Sequence, residues 1–419
     1  MRSASLITLG CRVNQYESRC IADKLRENGF DIVRFGQVCD VCVINTCCVT
    51  GESARKSRQM IHRARKISPG AYIIVTGCFA QAEGENALLS GAADAVIGNS
   101  DKSAVVKAAL ENSGRFIEIP EFHGYEDMTT TDSERLRAFI KIEDGCNGKC
   151  SYCIIPSVRG PVRSRPVESV IDEAKLLAGK GCRELILSGI ETSAYEYGLA
   201  GLVKQISSIE GIERIRLSSL DPSSVTEKFC ADIASVPEAM PHFHLSIQSG
   251  SSGVLRRMRR KYNADQALNN IETMKKYFPD LQLTADVIVG FPGETEEEFT
   301  ETLDFAEKAG FFHIHIFKYS IRPGTEAAIM PDQISESIKT ERSKTLSEKV
   351  ASIRRAIFKK VIASGDPLEI LFERTRNGYT DGHSREFFDV KAPGKPRDKI
   401  FKIKPLSYED NIIIGELIK

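Results

Sequence analysis

Residues 145–153 are Gly-Cys-Asn-Gly-Lys-Cys-Ser-Tyr-Cys, and this motif is the most informative one in the central part of the chain. Cys146, Cys150 and Cys153 form a Cys-x3-Cys-x2-Cys pattern directly after residues 138–143, a short run that is typical of a β-strand. Three thiolates in one loop can hold three irons of a [4Fe-4S] cluster and leave the fourth iron without a protein ligand. A zinc loop is the alternative, but tetrahedral zinc needs a fourth ligand, and no further Cys or His lies within ten residues on either side.

Strand and helix patterns alternate from this loop onward. The predicted strands are 138–143, 184–188, 214–218, 242–247, 282–289 and 312–318, and the predicted helices between them are 167–179, 199–208, 224–235, 263–277 and 295–309. Six β-then-α units without a Rossmann glycine fingerprint favour a partial (β/α) barrel, with its chemistry at the C-terminal ends of the strands.

A second α/β region precedes the barrel. Strands are predicted at 5–9, 41–44 and 72–75 and helices at 17–28 and 53–66, which indicates a parallel sheet. Cys11, Cys47 and Cys78 each follow one of these strands, so they are expected to converge at one edge of the sheet. A second three-thiolate site is therefore plausible, although buried free cysteines are also common as small apolar residues.

The last part of the chain has the pattern of a small β-module. A long charged helix is predicted at 336–363, followed by short strands at 368–372, 387–390, 400–403 and 412–417, which suits an OB-like barrel. A polar stretch, 121–134, is predicted to be a linker between the first two regions.

Composition limits the classes of protein that the chain can belong to. Its 419 residues suggest two or three domains, and 57 basic residues balance 57 acidic ones, so any site for a polyanion must be local. The N-terminus has too short an apolar run for a signal peptide, and a cytosolic location is expected. Thiols stay reduced there, so the twelve cysteines are judged as metal ligands or core residues. Core positions are the expectation for the remaining six: Cys20, Cys39, Cys42, Cys48, Cys182 and Cys230.

The cysteine loop, the aromatic Tyr152 before its last cysteine and the six βα units resemble the radical S-adenosylmethionine (SAM) superfamily. The resemblance implies that SAM chelates the open iron and that its reductive cleavage yields a 5′-deoxyadenosyl radical. It places Tyr152, Gly189, Ser246 and Gln248 at the SAM site. Gly189 as a turn glycine and Ser246 as a barrel-filling residue are equally open interpretations.

The whole chain resembles the methylthiotransferase family. The motifs are Leu-Gly-Cys-Arg-Val-Asn-Gln-Tyr-Glu-Ser at 9–18, Asn-Thr-Cys-Cys-Val-Thr at 45–50, Val-Arg-Ser-Arg-Pro at 162–166 and His-Leu-Ser-Ile-Gln-Ser-Gly at 244–250. They are most similar to the branch that acts on N6-threonylcarbamoyladenosine in tRNA, rather than to the branches that act on isopentenyladenosine in tRNA or on an aspartate of a ribosomal protein. Pro161 and Cys48 depart from that branch's usual residues.

The family implies a division of labour among the domains. Residues 1–125 would be the N-terminal methylthiotransferase domain, with Cys11, Cys47 and Cys78 on an auxiliary cluster, and 132–362 the radical SAM core, with Cys146, Cys150 and Cys153 on the other cluster. Residues 363–419 would be a TRAM-like β-domain for RNA. The cofactors would be two [4Fe-4S] clusters and SAM, and the partners tRNA and a low-potential electron donor such as flavodoxin or ferredoxin. Catalytic side chains are not assigned.

The implied reaction places a methylthio group on C2 of the adenine at position 37 of tRNA. The second cluster would hold the sulfur, one SAM would methylate it, and the radical from another would remove hydrogen from C2. A radical is needed because no side chain could deprotonate an unactivated aromatic C–H near neutral pH. Asp286 and Glu294 are candidates for positioning substrate, with helix capping favoured for Glu294.

Basic segments are candidate RNA contacts. Residues 53–66 hold six basic and no acidic residues, and further groups occur at Arg159, Arg163 and Arg165, at 256–261 and at 391–404. A solvated helix face is the alternative for 53–66, and the module from Asp366 carries ten basic and ten acidic residues. A metal-binding RNA module without chemistry remains the competing class of function.

Overall fold

The computed structural model describes residues 2–131, 136–396 and 399–418. Its first part is a six-stranded parallel sheet in the order β2-β1-β3-β4-β5-β6. The strands are β1 (Arg2–Thr8), β2 (Phe30–Val33), β3 (Val41–Thr46), β4 (Tyr72–Gly77), β5 (Ala95–Ile97) and β6 (Phe116–Glu118). The helices are α1 (Arg12–Glu27), α2 (Gly51–Ile67), α3 (Cys78–Leu89) and α4 (Ser103–Glu111). Every residue of β3 and β4 is buried, as expected for central strands covered on both faces.

The middle part is an open parallel barrel of six strand positions. Its strands are β7 (Arg137–Lys141), β10 (Glu184–Ser188), β11 (Arg214–Leu217) continued by β12 (Ser219–Leu220), β13 (His242–Gln248), β14 (Gln282–Val289) and β15 (His313–Lys318), with a small hairpin of β8 (Glu143–Asp144) and β9 (Arg163–Ser164). The helices are α5 (Ile155–Arg159), α6 (Val167–Gly179), α7 (Leu199–Ser207), α8 (Glu227–Ala234), α9 (Ser252–Arg257), α10 (Ala264–Tyr277) and α11 (Glu296–Ala309). The order of pairing leaves the barrel open between β7 and β15 among the residues described.

The last part is the long helix α12 (Glu336–Ser364) and a closed five-stranded barrel. Its strands are β16 (Leu368–Arg376), β17 (Tyr379–Ser384), β18 (Asp389–Pro393), β19 (Ile400–Glu409) and β20 (Ile412–Leu417). Three aromatic rings, Phe312, Phe358 and Phe388, pack edge to face and join this barrel to α12 and the central domain. The predicted fold class, an α/β multidomain chain with a parallel sheet, a partial (β/α)6 barrel and a small OB-like barrel, is confirmed.

The N-terminal domain reaches both edges of the open barrel. Arg12 and Arg19 of α1 lie over the ring of Phe139 on β7, at 5.6 and 5.3 Å. After β15, Ser320 accepts a hydrogen bond of 2.9 Å from the Gly51 N–H at the start of α2. The domain therefore spans the gap that the barrel strands leave.

The described part of the predicted linker forms hydrogen bonds with both the N-terminal domain and the barrel. The carboxylate of Glu126 accepts from the Lys102 and Ser103 N–H groups at the start of α4, and Tyr125 donates to the carbonyl of Lys141 on β7. The rest of the segment, from 132, lies outside the described residues. The two domains are thus connected by hydrogen bonds as well as by the chain.

Candidate functional site

The Cys-x3-Cys-x2-Cys loop follows β7 and β8 at the C-terminal end of the barrel, as predicted. Each of its three sulfurs accepts a hydrogen bond from a nitrogen donor. The donors are the Gly148 N–H to Cys146 at 3.2 Å, the Arg260 guanidinium to Cys150 at 3.3 Å and the Ile155 N–H to Cys153 at 3.4 Å. Such donors stabilise negative charge on sulfur, so the loop is prepared for thiolates.

Cys11, Cys47 and Cys78 converge at the ends of β1, β3 and β4, because neighbouring parallel strands bring their C-terminal ends to one edge. The residues before two of them explain how closely the loops meet. Gly10 has a φ of +95°, and a Cβ there would lie 2.7 Å from the Cβ of Cys47. Gly77 has a φ of +94°, and a Cβ there would lie 2.4 Å from the carbonyl oxygen of Thr46. The two Gly-Cys dipeptides therefore let all three cysteine loops approach one another.

Burial raises the pKa of the Cys78 thiol to about 11 and that of the Cys153 thiol to about 12. Thiols lose their protons when they bind a metal, so metal binding at either trio would release protons. Each trio supplies three thiols, which is the ligand number of a [4Fe-4S] cluster with one open iron.

Arg159 carries positive charge from the barrel to the N-terminal cysteine trio. It ends α5, the short helix that directly follows the cysteine loop, and its guanidinium is fully buried against the N-terminal domain. It donates to Glu17 of α1 at 3.0 Å and to Asp144 at 2.9 Å. Its charge also acts on Cys11 and Cys78. One side chain of the barrel thus supplies positive charge beside the N-terminal cysteines.

Buried ion pairs surround Arg159. The carboxylates of Glu17 and Asp144 face the buried cations Lys102, Lys141 and Arg159. Glu126 adds a third carboxylate near Lys102.

A cavity of about 270 Å³ lies between the domains. Its walls include all three barrel cysteines, Val49 and Thr50 from the loop after Cys47, and the predicted SAM residues Tyr152, Ser246 and Gln248. Gln248 has a φ of +66°, at a point where the pairing of β13 with β14 shifts register. Strained backbone of this kind is concentrated at functional sites, and here it places Gln248 in the cavity wall.

Gly189 is next to that cavity, before Ile190 and Glu191 in its wall. A Cβ at Gly189 would lie 2.6 Å from a carboxylate oxygen of Glu143, which also accepts a hydrogen bond of 2.8 Å from the Glu191 N–H. Burial raises the pKa of Glu143 to about 8. Gly189 therefore makes room for Glu143, a buried residue that sequence reasoning did not single out.

Several predicted basic patches have other roles in the structure. Arg159 and Arg165 are fully buried, so they do not form an RNA-binding surface, and Arg260 contacts Cys150. In 53–66, four of the six cations have acidic partners. These pairs are Arg55 and Lys56 with Glu52, Arg58 with Glu83, and Arg65 with Asp94. A solvated helix face accounts for that segment better than an RNA contact does.

The capping role predicted for Glu294 is wrong. Thr295 caps α11, while the buried carboxylate of Glu294 accepts from the Gly290 N–H at 2.6 Å and pairs with Arg342 of α12 at 2.7 Å. Asp286 differs, because it lies in the wall of the cavity. The sequence does not reveal the Glu294 contact, since its partner is 48 residues away.

The comparisons with known proteins follow the same division of the chain. Residues 140–306 match the radical SAM superfamily profile, and residues 3–98 match an uncharacterised protein family, UPF0004. A threonylcarbamoyladenosine tRNA methylthiotransferase, MtaB, of Bacillus subtilis is 37% identical over 97% of this chain and 94% of its own. A tRNA-2-methylthio-N(6)-dimethylallyladenosine synthase of Anaplasma marginale is 34% identical over 95% and 92%.

A solved structure shares the fold. It is the cobalamin-bound radical SAM methyltransferase TsrM of Kitasatospora setae, with a TM-score of 0.59 and 13% identity over 91% of this chain and 80% of that one. Fold and site together define a radical SAM enzyme. Within that class, the chain belongs to the methylthiotransferase family. Its cofactors are SAM and [4Fe-4S] clusters, and the idea of a metal-binding module without chemistry is wrong.

Helices that are long and apolar enough to span a membrane are absent from the described residues.

Proposed function

We propose that this enzyme adds a methylthio group to C2 of N6-threonylcarbamoyladenosine at position 37 of tRNA. The observation that carries the proposal is the placement of two three-cysteine sites in two domains, with Arg159 holding those domains together and a cavity between them. The names of the relatives that are 36–37% identical, all threonylcarbamoyladenosine tRNA methylthiotransferases, support that modified base as the substrate.

We assign the site residues accordingly. Cys146, Cys150 and Cys153 would hold the cluster that binds SAM, and Cys11, Cys47 and Cys78 would hold the auxiliary cluster. Tyr152, Gly189, Ser246 and Gln248 would surround SAM. The corresponding domain limits are 1–125, 132–362 and 363–419, with RNA bound in part by the last of these. We also propose a cytoplasmic location, since the substrate is tRNA, and a flavodoxin or ferredoxin as electron donor.

The bound cofactors would supply a one-electron cleavage of SAM and a sulfur atom for transfer. Ile190, Ile288 and Phe317 would give the reactants partly apolar surroundings. Arg260 would hold positive charge against the Cys150 sulfur, and Asp221, at 2.6 Å, orients that guanidinium. Protein side chains would thus position the reactants, and none needs to remove a proton from the adenine.

Reaction of the anaerobically reconstituted enzyme with defined tRNAs tests the substrate. One tRNA carries N6-threonylcarbamoyladenosine at position 37, and a matched tRNA carries isopentenyladenosine there. We expect nucleoside mass analysis to find the methylthio product only from the first. Product only from the second would contradict the proposal, as would loss of a methylthio mark from a ribosomal protein, with tRNA unchanged, in cells that lack the gene.

A further inference from the structure

Four of the seven histidines in the chain lie on two strands of the barrel. They form a His-x-His pair on β13, His242 and His244, and another on β15, His313 and His315. The family's two cysteine sites do not use them. The intervening strand, β14, carries Asp286 in register with His315.

His244, Asp286 and His315 form a compact group of metal-ligand atoms. One ligand atom of each lies within 4.8 Å of the others, and the His244 Nε2 is 3.2 Å from the Asp286 Oδ2. Ligand atoms that share one ion at about 2.1 Å lie roughly 3 Å apart. Small rotations of the side chains would therefore bring the three ligand atoms close enough to bind one ion. Two imidazoles and one carboxylate on one face are a ligand set that suits a divalent first-row transition ion.

The ring of His244 is held in the orientation that a metal ligand needs. Its other nitrogen, Nδ1, is 2.9 Å from the Thr284 hydroxyl oxygen, which leaves Nε2 facing Asp286. Metal-binding histidines are usually oriented in this way by a polar group on the second ring nitrogen. Thr284 also lies 3.2 Å from His242, so it anchors the pair on β13.

The group adjoins the cavity. Asp286 is in the cavity wall, and strand alternation puts His244 on the face of Ser246 and His315 on the face of Phe317, both of which also line it. The side chains of His244 and Asp286 are 14% and 26% exposed, so an ion can enter. The charges of Asp286 and Arg12 also attract one another. Positions left open on an ion there would take water or another oxygen ligand.

We propose that His244, Asp286 and His315 form a third metal site, distinct from the two cysteine sites, which binds one divalent first-row transition ion at the cavity wall. Three protein ligands leave coordination positions open, as in sites that bind an oxygen ligand on the metal. This inference does not depend on which modified base is the substrate.

Mn²⁺ is the probe, because it prefers nitrogen and oxygen ligands to thiolates and is detected by EPR. The anaerobic enzyme with both clusters in the oxidised state is titrated with Mn²⁺, and free Mn²⁺ is measured. We expect one bound Mn²⁺ per chain, with electron spin echo modulation from histidine nitrogen. We expect binding to weaken at least tenfold in His315→Gln and in Asp286→Asn, and about 10- to 100-fold in Thr284→Val.

His313→Gln is the matched control, because His313 is on the same strand and its ring packs against His315 at 4.6 Å but is not in the group. It should bind Mn²⁺ as the wild type does. Cluster content and circular dichroism report folding of every variant. No stoichiometric Mn²⁺ binding by the wild type, equal binding by folded Asp286→Asn and His315→Gln, or equal loss in His313→Gln would each overturn the proposal.

Discussion

Cys47 and Cys48 are neighbours with different surroundings. Cys47 lies where the three N-terminal cysteine loops meet, while Cys48 is fully buried and donates to the carbonyl of Cys78 at 3.2 Å. We expect Cys47→Ala to lower iron from about eight to about four atoms per chain and to abolish methylthio transfer, while 5′-deoxyadenosine formation stays measurable. Iron analysis and product quantification check both results.

Cys48→Ala is the control for that change. It removes a buried thiol at the next position, so it should cost some stability but keep both clusters. Equal iron in Cys47→Ala and wild type, or loss of four irons in Cys48→Ala, would contradict the ligand assignment.

Arg260 lies against the sulfur of Cys150 and makes a second testable contact. A positive charge and an N–H donor favour the reduced, more negative state of a cluster. Arg260→Gln should therefore lower the reduction potential of the cluster assigned to the barrel cysteines. A shift of roughly 60 mV corresponds to a tenfold change in a one-electron equilibrium. Anaerobic redox titration followed by EPR measures it, and slower formation of 5′-deoxyadenosine should accompany it.

Arg256→Gln serves for comparison, because Arg256 is an exposed residue of the same segment. The reduction potential of the cluster in Arg256→Gln should equal that in the wild type. The idea that Arg260 tunes the cluster fails if both variants keep the wild-type potential or shift it equally.

Individual residues show where sequence reasoning stops. The two cysteine trios could be found because loop spacing and strand ends are visible in a single sequence. The sequence predicts RNA contacts at Arg159, Arg165 and Arg260, because a run of cations is visible while the partners of each cation are not. Some of those partners are far away in the chain, as Glu17 is from Arg159, 142 residues apart.

Among the helices and strands, the prediction of the repeated βα units is confirmed. Strand β10 and helix α6 have the predicted limits, because buried strands and amphipathic helices have strong periodicity. Apart from the two-residue strands β9 and β12, the missed strands are β2, β5, β6 and β17. The first three have only three or four residues, and β17 has the polar sequence Tyr-Thr-Asp-Gly-His-Ser, so neither length nor apolar pattern marks them.

The strands of the C-terminal barrel carry a pH-sensitive group where they meet β7. Burial would raise the pKa of Glu373 on β16, but the hydrogen bond and charge of His383 and the charge of Arg137 outweigh it and lower this pKa to about 2. Burial and the Arg137 charge would lower the pKa of His383 on β17. Hydrogen bonds to Asp389 and Glu373 outweigh both effects and raise this pKa above its ordinary value.

The sign of the pH dependence follows from these two shifts. Glu373 contributes to the stability of the folded domain above pH 4.5, and this contribution is lost as the pH falls toward 2. His383 contributes to the stability of the folded domain below pH 6.5. This contribution is lost as the pH rises through the pKa that His383 has in the folded state. We therefore expect the group to stabilise the domain most between pH 4.5 and 6.5.

Thermal unfolding of wild type and His383→Gln across this range measures the effect. The difference in unfolding midpoint between them should be largest near pH 6 and should shrink as the pH rises, because wild-type His383 then loses its proton. His123→Gln, a change at an exposed loop residue, should show no such trend. A difference independent of pH would mean that His383 acts by packing alone, for example by stacking on Phe387 at 4.9 Å.

The N-terminal sheet domain and the open barrel pack against one another. The barrel strands leave a gap between β7 and β15 among the described residues. The N-terminal domain spans that gap, and α5 carries Arg159 from the barrel to the other trio. If the enzyme acts as proposed, the relative placement of the domains sets the distance over which sulfur would be transferred.

Glu17 is the N-terminal domain's main ionic contact with the barrel. It is fully buried on α1 and accepts from Lys141 and Arg159 of the barrel, both at 3.0 Å. Glu17→Gln preserves its shape but leaves those cations without the carboxylate, so we expect a loss of about 3–5 kcal/mol in unfolding free energy. The ratio of methylthio product to 5′-deoxyadenosine should also fall, because the radical would form in a loosened interdomain cavity.

Glu27→Gln is the matched change on the same helix, since Glu27 is exposed and pairs only at the surface with Lys24. It should alter the unfolding free energy by less than about 1 kcal/mol and leave the product ratio unchanged. Denaturant titration gives the first quantity, and chromatography of the anaerobic reaction gives the second. Glu17→Gln could lose stability and still keep the wild-type ratio of methylthio product to 5′-deoxyadenosine. Domain placement would then not control sulfur transfer, because transfer would survive the loss of the main ionic contact between the domains.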